Sequence, residues 1–426
     1  MAFTQLQRYF TTELLYTANS MSHTIQSVAQ LFTPEDRYNK YRLLHQLASP
    51  STGQESASME KALLLLIHTY QNDIRALGAI RADHSFEVAC LVATQFQSST
   101  QAIIGALLHE MIAKEDVPLA TIQREFGDNV SNIVAGVARL VEAAYLSRAD
   151  LLARLREIIS RPTPDHIHIL LVSMADCLEN LYRLDSFLPK EQQLWTDLAH
   201  QVYAPLASRL GMHRIQSDLE DLYLKFTRRT IYDRIVTHIQ ADRSTKEGFL
   251  ASFIAPIHLA LQQQGVIHTI QARTKSISSI YRKILKDHAP LEAIHDLYAI
   301  RVVFDSRLHD EYANCWLICK LVSTLYAALP HKFKNWLSYP KASGYEALHL
   351  TVMTQAGQMV EVQIRSRRMD TIAEEGSAAH WRYKSVARIE DFAAIDGLWL
   401  RKVRKFLKIP SIGNPIHITT SNLYIR

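Results

Sequence analysis

Apolar residues recur at intervals of three and four through "KALLLLIHTYQNDIRAL" (61–77), "SFEVACLVATQF" (85–96), "TQAIIGALLHEMI" (100–112), "VSNIVAGVARLVEAAYL" (130–146) and "DHIHILLVSMADCLENLYRL" (165–184). That spacing matches 3.6 residues per turn and predicts helix after helix. Breaks are expected at 49–56, 125–129 and 160–165, where Pro, Gly and Asn gather. Strand-like alternation is absent up to about residue 240, so this half reads as all-α. The pattern then changes. "EAIHDLYAIRVVFDS" (292–306) carries the β-branched residues Ile300, Val302 and Val303. "YEALHLTVMTQAGQMVEVQIRS" (345–366) reads as two alternating strands joined at Gln355-Ala356-Gly357, a hairpin. Helical patterns surround them at 278–287, 311–329 and 370–384, so the second half is expected to be α+β around a mixed or mostly antiparallel sheet.

A chain of 426 residues predicts two or three domains. The expected division is a helical domain over 1–199, inter-domain helices over 200–247, an α+β domain over 248–390 and an extension over 391–426. Gly and Pro number only 13 each, which suits a helical chain, and the net charge of +5 is too small for wholesale nucleic-acid binding. Cys90, Cys177, Cys315 and Cys319 lack metal-ligand spacing and sit in apolar runs, so they read as core residues. No signal-peptide pattern opens the chain and no run of about 18 apolar residues occurs. A cytoplasmic protein with no membrane partner is therefore expected.

"ARTKSISSIYRKILK" (272–286) concentrates Arg273, Lys275, Arg282, Lys283 and Lys286 without an acid. Lys275, Ser279 and Lys283 are four apart, so on a helix they form one stripe of donors suited to a polyphosphate. The simpler alternative is a solvated basic face. No GxxxxGK[ST] loop is present, so side chains would have to hold any nucleotide. Asp296 precedes a strand. In "MVEVQIR", Glu361, Gln363 and Arg365 share one face opposite Val360, Val362 and Ile364, lining either a cleft or a solvent face. Two carboxylates beside a cation stripe are what magnesium-assisted phosphoryl transfer requires. In "HKFKNWLSYPKASGYEALHLTV" (331–352), Tyr345 could stack a base or cover the core edge, and His349 follows it on a strand.

These segments resemble, in order and spacing, the synthetase motifs of the RelA/SpoT homologue family, long enzymes that make the stringent-response alarmone (p)ppGpp. The resemblance rests on "RTKSISSIYRK", "DLYAIRV", "KFKNWLSYPKASGYEALHLTV", "VEVQIRS" and "IAEEGSAAHWRYK", with "VYAPLASRLGMHRIQSDLEDLYLKF" (202–226) similar to the family's inter-domain helices. It implies a nucleotidyltransferase-like domain with a mixed sheet, transferring pyrophosphate from ATP to the 3′-hydroxyl of GDP or GTP. Under it Arg273 flanks adenine, Lys275, Ser279 and Lys283 bind ATP phosphates, and Arg301 supports the phosphate site. Asp296 and Glu361 hold Mg2+, and Glu361 is also the base. Tyr345 stacks on guanine, with His349, Lys334, Lys341 and Gln363 around the acceptor. The chain departs from the family at Lys332-Phe333-Lys334-Asn335, where Arg-x-Lys-Asp is usual, and at Ser343, where Asn is usual. These changes bear on guanosine affinity and on GDP-versus-GTP preference.

The family's helical domain is an HD-type hydrolase that removes the 3′-pyrophosphate with Mn2+. Its ligand positions correspond here to His84, His109-Glu110 and Asp176, a candidate residual metal site with Glu in place of Asp. Asp176 also draws notice without any family, because an acid inside an apolar helical run is costly to bury unless paired or ligating. The extra methylene of Glu110 displaces its carboxylate by roughly an ångström, beyond the roughly 0.2 Å tolerance of metal–ligand distances. The water-activating Glu-Asp pair expected four and five residues after the second His is replaced by Ala113 and Lys114. Glu115 and Asp116 come two residues later, rotated by about 200° on a helix. Cys177-Leu178-Glu179-Asn180 replaces the family's Arg-x-His-Asn, while Arg75 and Asn180 survive as candidate nucleotide contacts. The expectation is a synthetase with an inactive hydrolase domain. The alternatives are a Mn-dependent (p)ppGpp 3′-pyrophosphohydrolase and a non-catalytic guanosine-nucleotide sensor. The chain ends where long family members begin regulatory domains, so a truncated chain is expected, with ribosome or tRNA sensing beyond it.

Overall fold

The structure is a computed structural model, and it describes residues 34–375 apart from 49, 51, 71–80, 97, 114–116, 161–163, 242, 274, 289–290, 292–298 and 342–343. The helical half runs through α1 (Pro34–Ala48), α2 (Gly53–Tyr70), α3 (Arg81–Thr94), α4 (Thr100–Ala113), α5 (Leu119–Phe126), α6 (Asp128–Leu146), α7 (Arg148–Ser160), α8 (Pro164–Tyr182) and α9 (Pro189–Leu198). The expected breaks between α1 and α2, α5 and α6, and α7 and α8 are present. Gly127 separates α5 from α6 with φ 87°, a left-handed conformation that favours glycine.

Helix α4 is central. Ala106, Leu107, Leu108 and Met111 are all fully buried, as expected of a helix apolar nearly all round. A Cβ on Gly105 would lie 2.6 Å from Ile133 Cγ2 of α6, so the two backbones approach as closely as they do only because residue 105 has no side chain. A π-helical turn (Ala199–Tyr203) leads into α10 (Ala204–Leu210), α11 (His213–Thr227), α12 (Arg229–Ala241) and α13 (Arg243–Gln263). The first core gathers residues from Leu44 to Leu222.

The second core, from Phe253 to Met369, forms on a six-stranded mixed sheet. Its strands are β1 (His268–Arg273), β2 (Ala299–Phe304), β3 (Ala327–Ala328), β4 (Lys334–Asn335), β5 (Leu348–Met353) and β6 (Met359–Ser366), in the order β1-β2-β6-β5-β3 with β4 also on β5. Strands β2 and β6 are parallel and the other pairs antiparallel. The hairpin at 355–357 forms as the sequence predicts, with Gly357 at φ 76°. Helices α13 and α15 (Glu311–Leu325) cover the apolar face, where Phe253, Ile257, Leu261, Cys315 and Ile318 meet Ile300, Val302, Val362 and Ile364. Cys315 and Cys319 are core residues, as read.

One helical expectation is corrected, and a second is followed only in part. The helix predicted over 311–329 stops at Leu325, because Tyr326 turns extended and Ala327–Ala328 pairs with the edge of β5. The helix expected over 370–384 is α16 (Arg367–Glu375), and residues from 376 lie outside the described ones. Helix α14 (Ile277–Asp287) sets its Ile277, Ile280, Tyr281 and Ile284 against Ile231, Ile235 and Ile239 of α12. The cation-bearing helix thus rests on α12.

Candidate functional site

Strand β6 positions Glu361, and its register places that residue beside Ala299 of β2, which in turn faces Arg273 of β1. Arg273 therefore ends β1 in the same row of the sheet as Glu361. Asp296, the second expected carboxylate, lies outside the described residues. His349 of β5 is opposite Gln363 on one side and Lys334 of β4 on the other. This register brings three of the expected acceptor-site residues, His349, Gln363 and Lys334, together.

A hydrogen-bond chain runs through them. Tyr345 Oη and His349 Nε2 are 2.7 Å apart, His349 Nδ1 is 3.1 Å from Glu361 Oε1, and Gln363 Nε2 donates to Glu361 Oε2 at 3.0 Å. Arg365 Nη2 then donates to Gln363 Oε1 at 3.1 Å. Burial by itself would raise the Glu361 carboxyl, but the bonds from His349 and Gln363 and the Lys334 ammonium 3.9 Å away hold it down at about 2. Burial lowers the His349 imidazole and outweighs the pull of Glu361. A neutral imidazole therefore donates its Nδ1–H to an ionised carboxylate and accepts the Tyr345 hydroxyl proton at Nε2. The Glu361 side chain is 28% exposed, so a hard, charged oxygen ligand stays open to solvent, which fits Mg2+.

Tyr345 is buried, with Lys341 Nζ 4.8 Å and the Arg365 guanidinium 5.4 Å from its ring centre. The choice between cleft and solvent face for Glu361, Gln363 and Arg365 resolves along the strand. Glu361 is half-buried, while Gln363 and Arg365 are buried near α16. Arg301 pairs with Asp370 at 3.3 Å and Glu374 at 2.6 Å, both on α16. Its charge is taken up by these acids, two rows along the sheet from Glu361, where Arg301 is the register partner of Gln363.

The donor stripe is helical over only part of its length. Ser276 caps α14 by accepting from Ser279 N, so Lys275 precedes the helix and Ser279 and Lys283 lie on it. All three are half-buried. Ser279 Oγ accepts from Ser276 Oγ at 2.7 Å and from Arg282 Nη2 at 3.1 Å. The Arg273 side chain is outside the described part of the structure.

In the helical half, His84 on α3, His109 on α4 and Asp176 on α8 converge, and one ligand atom from each lies within 4.8 Å of the others. His84 Nε2 is 3.1 Å and His109 Nε2 3.7 Å from Asp176 Oδ1. Glu110, expected as a further ligand, is not in this group. Asp176 is buried and lies beside both histidines, the partnered arrangement that an acid in an apolar helix requires. Burial would raise its carboxyl, yet the two imidazoles outweigh that and hold it well below the carboxylate range. Two imidazole nitrogens and one carboxylate oxygen suit a divalent transition metal. His109 Nε2 is buried, 3.7 Å from Asp176 Oδ1, and makes no hydrogen bond among the described residues, which fits a ligand atom. Residues 114–116, the Ala113 side chain and Arg75 lie outside the described part.

Two residues acquire roles that the sequence did not suggest. Asn180, read as a nucleotide contact, is buried and donates to Asp176 Oδ1 at 2.8 Å. Glu179, read only as a departure from the family, is buried and bonded to His84 Nδ1. Its spacing of three from Asp176 on one helix face was the available signal.

Residues 272–388 match a region found in RelA/SpoT proteins, and residues 62–213 match an HD domain. The bifunctional (p)ppGpp synthase/hydrolase SpoT of Escherichia coli K12 is 28% identical over 85% of this chain and 48% of its own length. A guanosine-3′,5′-bis(diphosphate) 3′-pyrophosphohydrolase of Aquifex aeolicus is 27% identical over 88% of this chain and 52% of its own. A probable chloroplastic GTP diphosphokinase of Arabidopsis thaliana, RSH3, is 30% identical over 78% and 46%. The chain spans about half the length of these relatives. Among the described residues no helix is long and apolar enough to cross a membrane. The chain thus carries an HD domain followed by a region found in RelA/SpoT proteins, and it is similar to RelA/SpoT relatives across both.

Proposed function

We propose that the α+β half, taken as residues 248–390, is a (p)ppGpp synthetase. The 3′-hydroxyl of GDP or GTP attacks the β-phosphorus of ATP, the bond from Pβ to the α–β bridging oxygen breaks, and AMP leaves. The proton of the hydroxyl passes to Glu361, which is ionised and held by two donors beside open solvent. That carboxylate, with its His349–Tyr345 support, is the observation that carries the proposal. Lys275, Ser279 and Lys283 take the ATP phosphates. Asp296 and Glu361 would hold Mg2+, which would supply neutralisation of the phosphate charge. Lys334, Lys341, Tyr345 and Gln363 surround the acceptor.

The helical half, with Ala113 and Lys114 in place of water-activating acids, is read as a metal-holding domain without hydrolysis. One observation favours a second reading, Mn2+-dependent 3′-pyrophosphohydrolysis: the His84–His109–Asp176 group has its ligand atoms gathered. Incubation with ATP, GDP and Mg2+, and separately with ppGpp and Mn2+, tests both readings. Alarmone made in the first and no pyrophosphate released in the second supports the leading proposal. Pyrophosphate release alone would replace it with the second reading, and inactivity in both would leave a nucleotide sensor.

A further inference from the structure

The three grouped side chains of the helical half each have a fixed partner behind them. His109 Nδ1 is 2.7 Å from the Ala106 carbonyl, which accepts its proton and leaves Nε2 to face Asp176. Asn180 Nδ2 donates to Asp176 Oδ1. His84 Nδ1 is bonded to the Glu179 carboxylate, and the other oxygen of that carboxylate is paired with Arg183, just past the end of α8. A histidine that binds metal through one nitrogen almost always donates the other N–H to an acceptor, which fixes tautomer and ring orientation. Both histidines here meet that condition, but only His84 does so through a charged acceptor, 95 residues away in sequence.

We propose that Glu179 is a positioning residue that fixes His84 as a metal ligand, its carboxylate holding Nδ1–H so that Nε2 faces the ion. The proposal rests on reading His84, His109 and Asp176 as a metal site. Its carboxylate increases the basicity of the imidazole and restrains ring rotation, while Arg183 restrains the carboxylate. A purely structural Glu179 would stabilise α8 and leave metal affinity unchanged.

Titration of the full chain with Mn2+, followed by the electron paramagnetic resonance signal of the free ion, needs no catalysis. Wild type is expected to bind, His84→Ala to lose binding, and Glu179→Leu to bind about 10- to 100-fold more weakly. Glu179→Gln, whose amide oxygen still accepts from Nδ1–H, is expected to lose less. Metal-free thermal unfolding of each variant shows whether the fold is kept, and the isosteric Gln variant serves if the Leu variant does not fold. If both Glu179 variants bind as tightly as wild type while His84→Ala does not, the positioning role is overturned and the metal site stands. If wild type takes up no Mn2+, the metal site and the positioning role both fall.

Discussion

Asp221 accepts from the backbone N–H of Ser278 at 2.7 Å, joining α11 of the inter-domain helices to the first turn of α14 across 57 residues of sequence. A second bond to the same carboxylate comes from Ile277 N at 3.1 Å. The neighbouring Glu220 lies 3.1 Å from Arg282, further along α14. Two adjacent acids therefore hold the cation-bearing helix at its start and along its side. With the amides of residues 277 and 278 already engaged, a phosphate on α14 must be held by side chains.

Replacing Asp221 with Ala leaves two amides of the first turn without that acceptor, at a cost of about 0.5–2 kcal/mol. The expected result is a several-fold rise in KM for ATP with a smaller change in kcat, because the donors move while Glu361 stays. Steady-state kinetics with ATP varied at saturating GDP checks this. An unchanged KM would show that the cap does not set the phosphate site.

Glu361→Gln keeps the shape of the side chain and removes the base. Synthesis is expected to fall by about 10²- to 10⁴-fold, the range of general-base contributions. ATP and GDP affinities, measured by equilibrium dialysis, should change little. Near-wild-type turnover would remove Glu361 from the proton transfer.

Removing the donor at position 349 changes the acid side of the pH profile. Glu361 is depressed from 4.5 to about 2 in the folded chain, so its contribution to stability is present above pH 4.5 and is lost as pH falls toward 2. His349→Phe deletes the Nδ1–H bond, and the Glu361 carboxyl is expected to move up. The acidic limb of kcat/KM should shift to higher pH, and the stability gap between wild type and variant should narrow on acidification across that window. A limb that stays in place would mean that His349 does not support the carboxylate.

Arg365 is buried and lies 3.5 Å from Asp370 and 4.0 Å from Glu374. Arg365→Ala removes a buried cation from beside these acids and is expected to destabilise the chain by about 3–5 kcal/mol. Urea unfolding monitored by circular dichroism checks this, and the double variant Arg365→Ala/Glu374→Gln should recover part of the loss.

Gly105→Ala puts a methyl group 2.6 Å from Ile133 Cγ2 and is expected to cost about 1–3 kcal/mol. Because His109 sits one turn further along α4, the displaced helix should also weaken Mn2+ binding. Thermal unfolding and ion titration of the same variant measure the two effects together.

The residue periodicity by itself determined many of the elements. Apolar spacing marked α2, α3, α4, α6 and α8, and alternation around Gly357 marked the hairpin and put Glu361, Gln363 and Arg365 on one face. Asp176 was legible as well, because an acid in an apolar helix must have a partner. The partners were not legible. Period says which face of an element is apolar and is silent on which other element covers it. Only packing decided that Glu179 would meet His84, that Arg301 would spend its charge on α16, and that α14 would rest on α12 with Asp221 at its first turn. Each of these contacts joins residues far apart in sequence, and their geometry follows from how whole helices and strands fill one core.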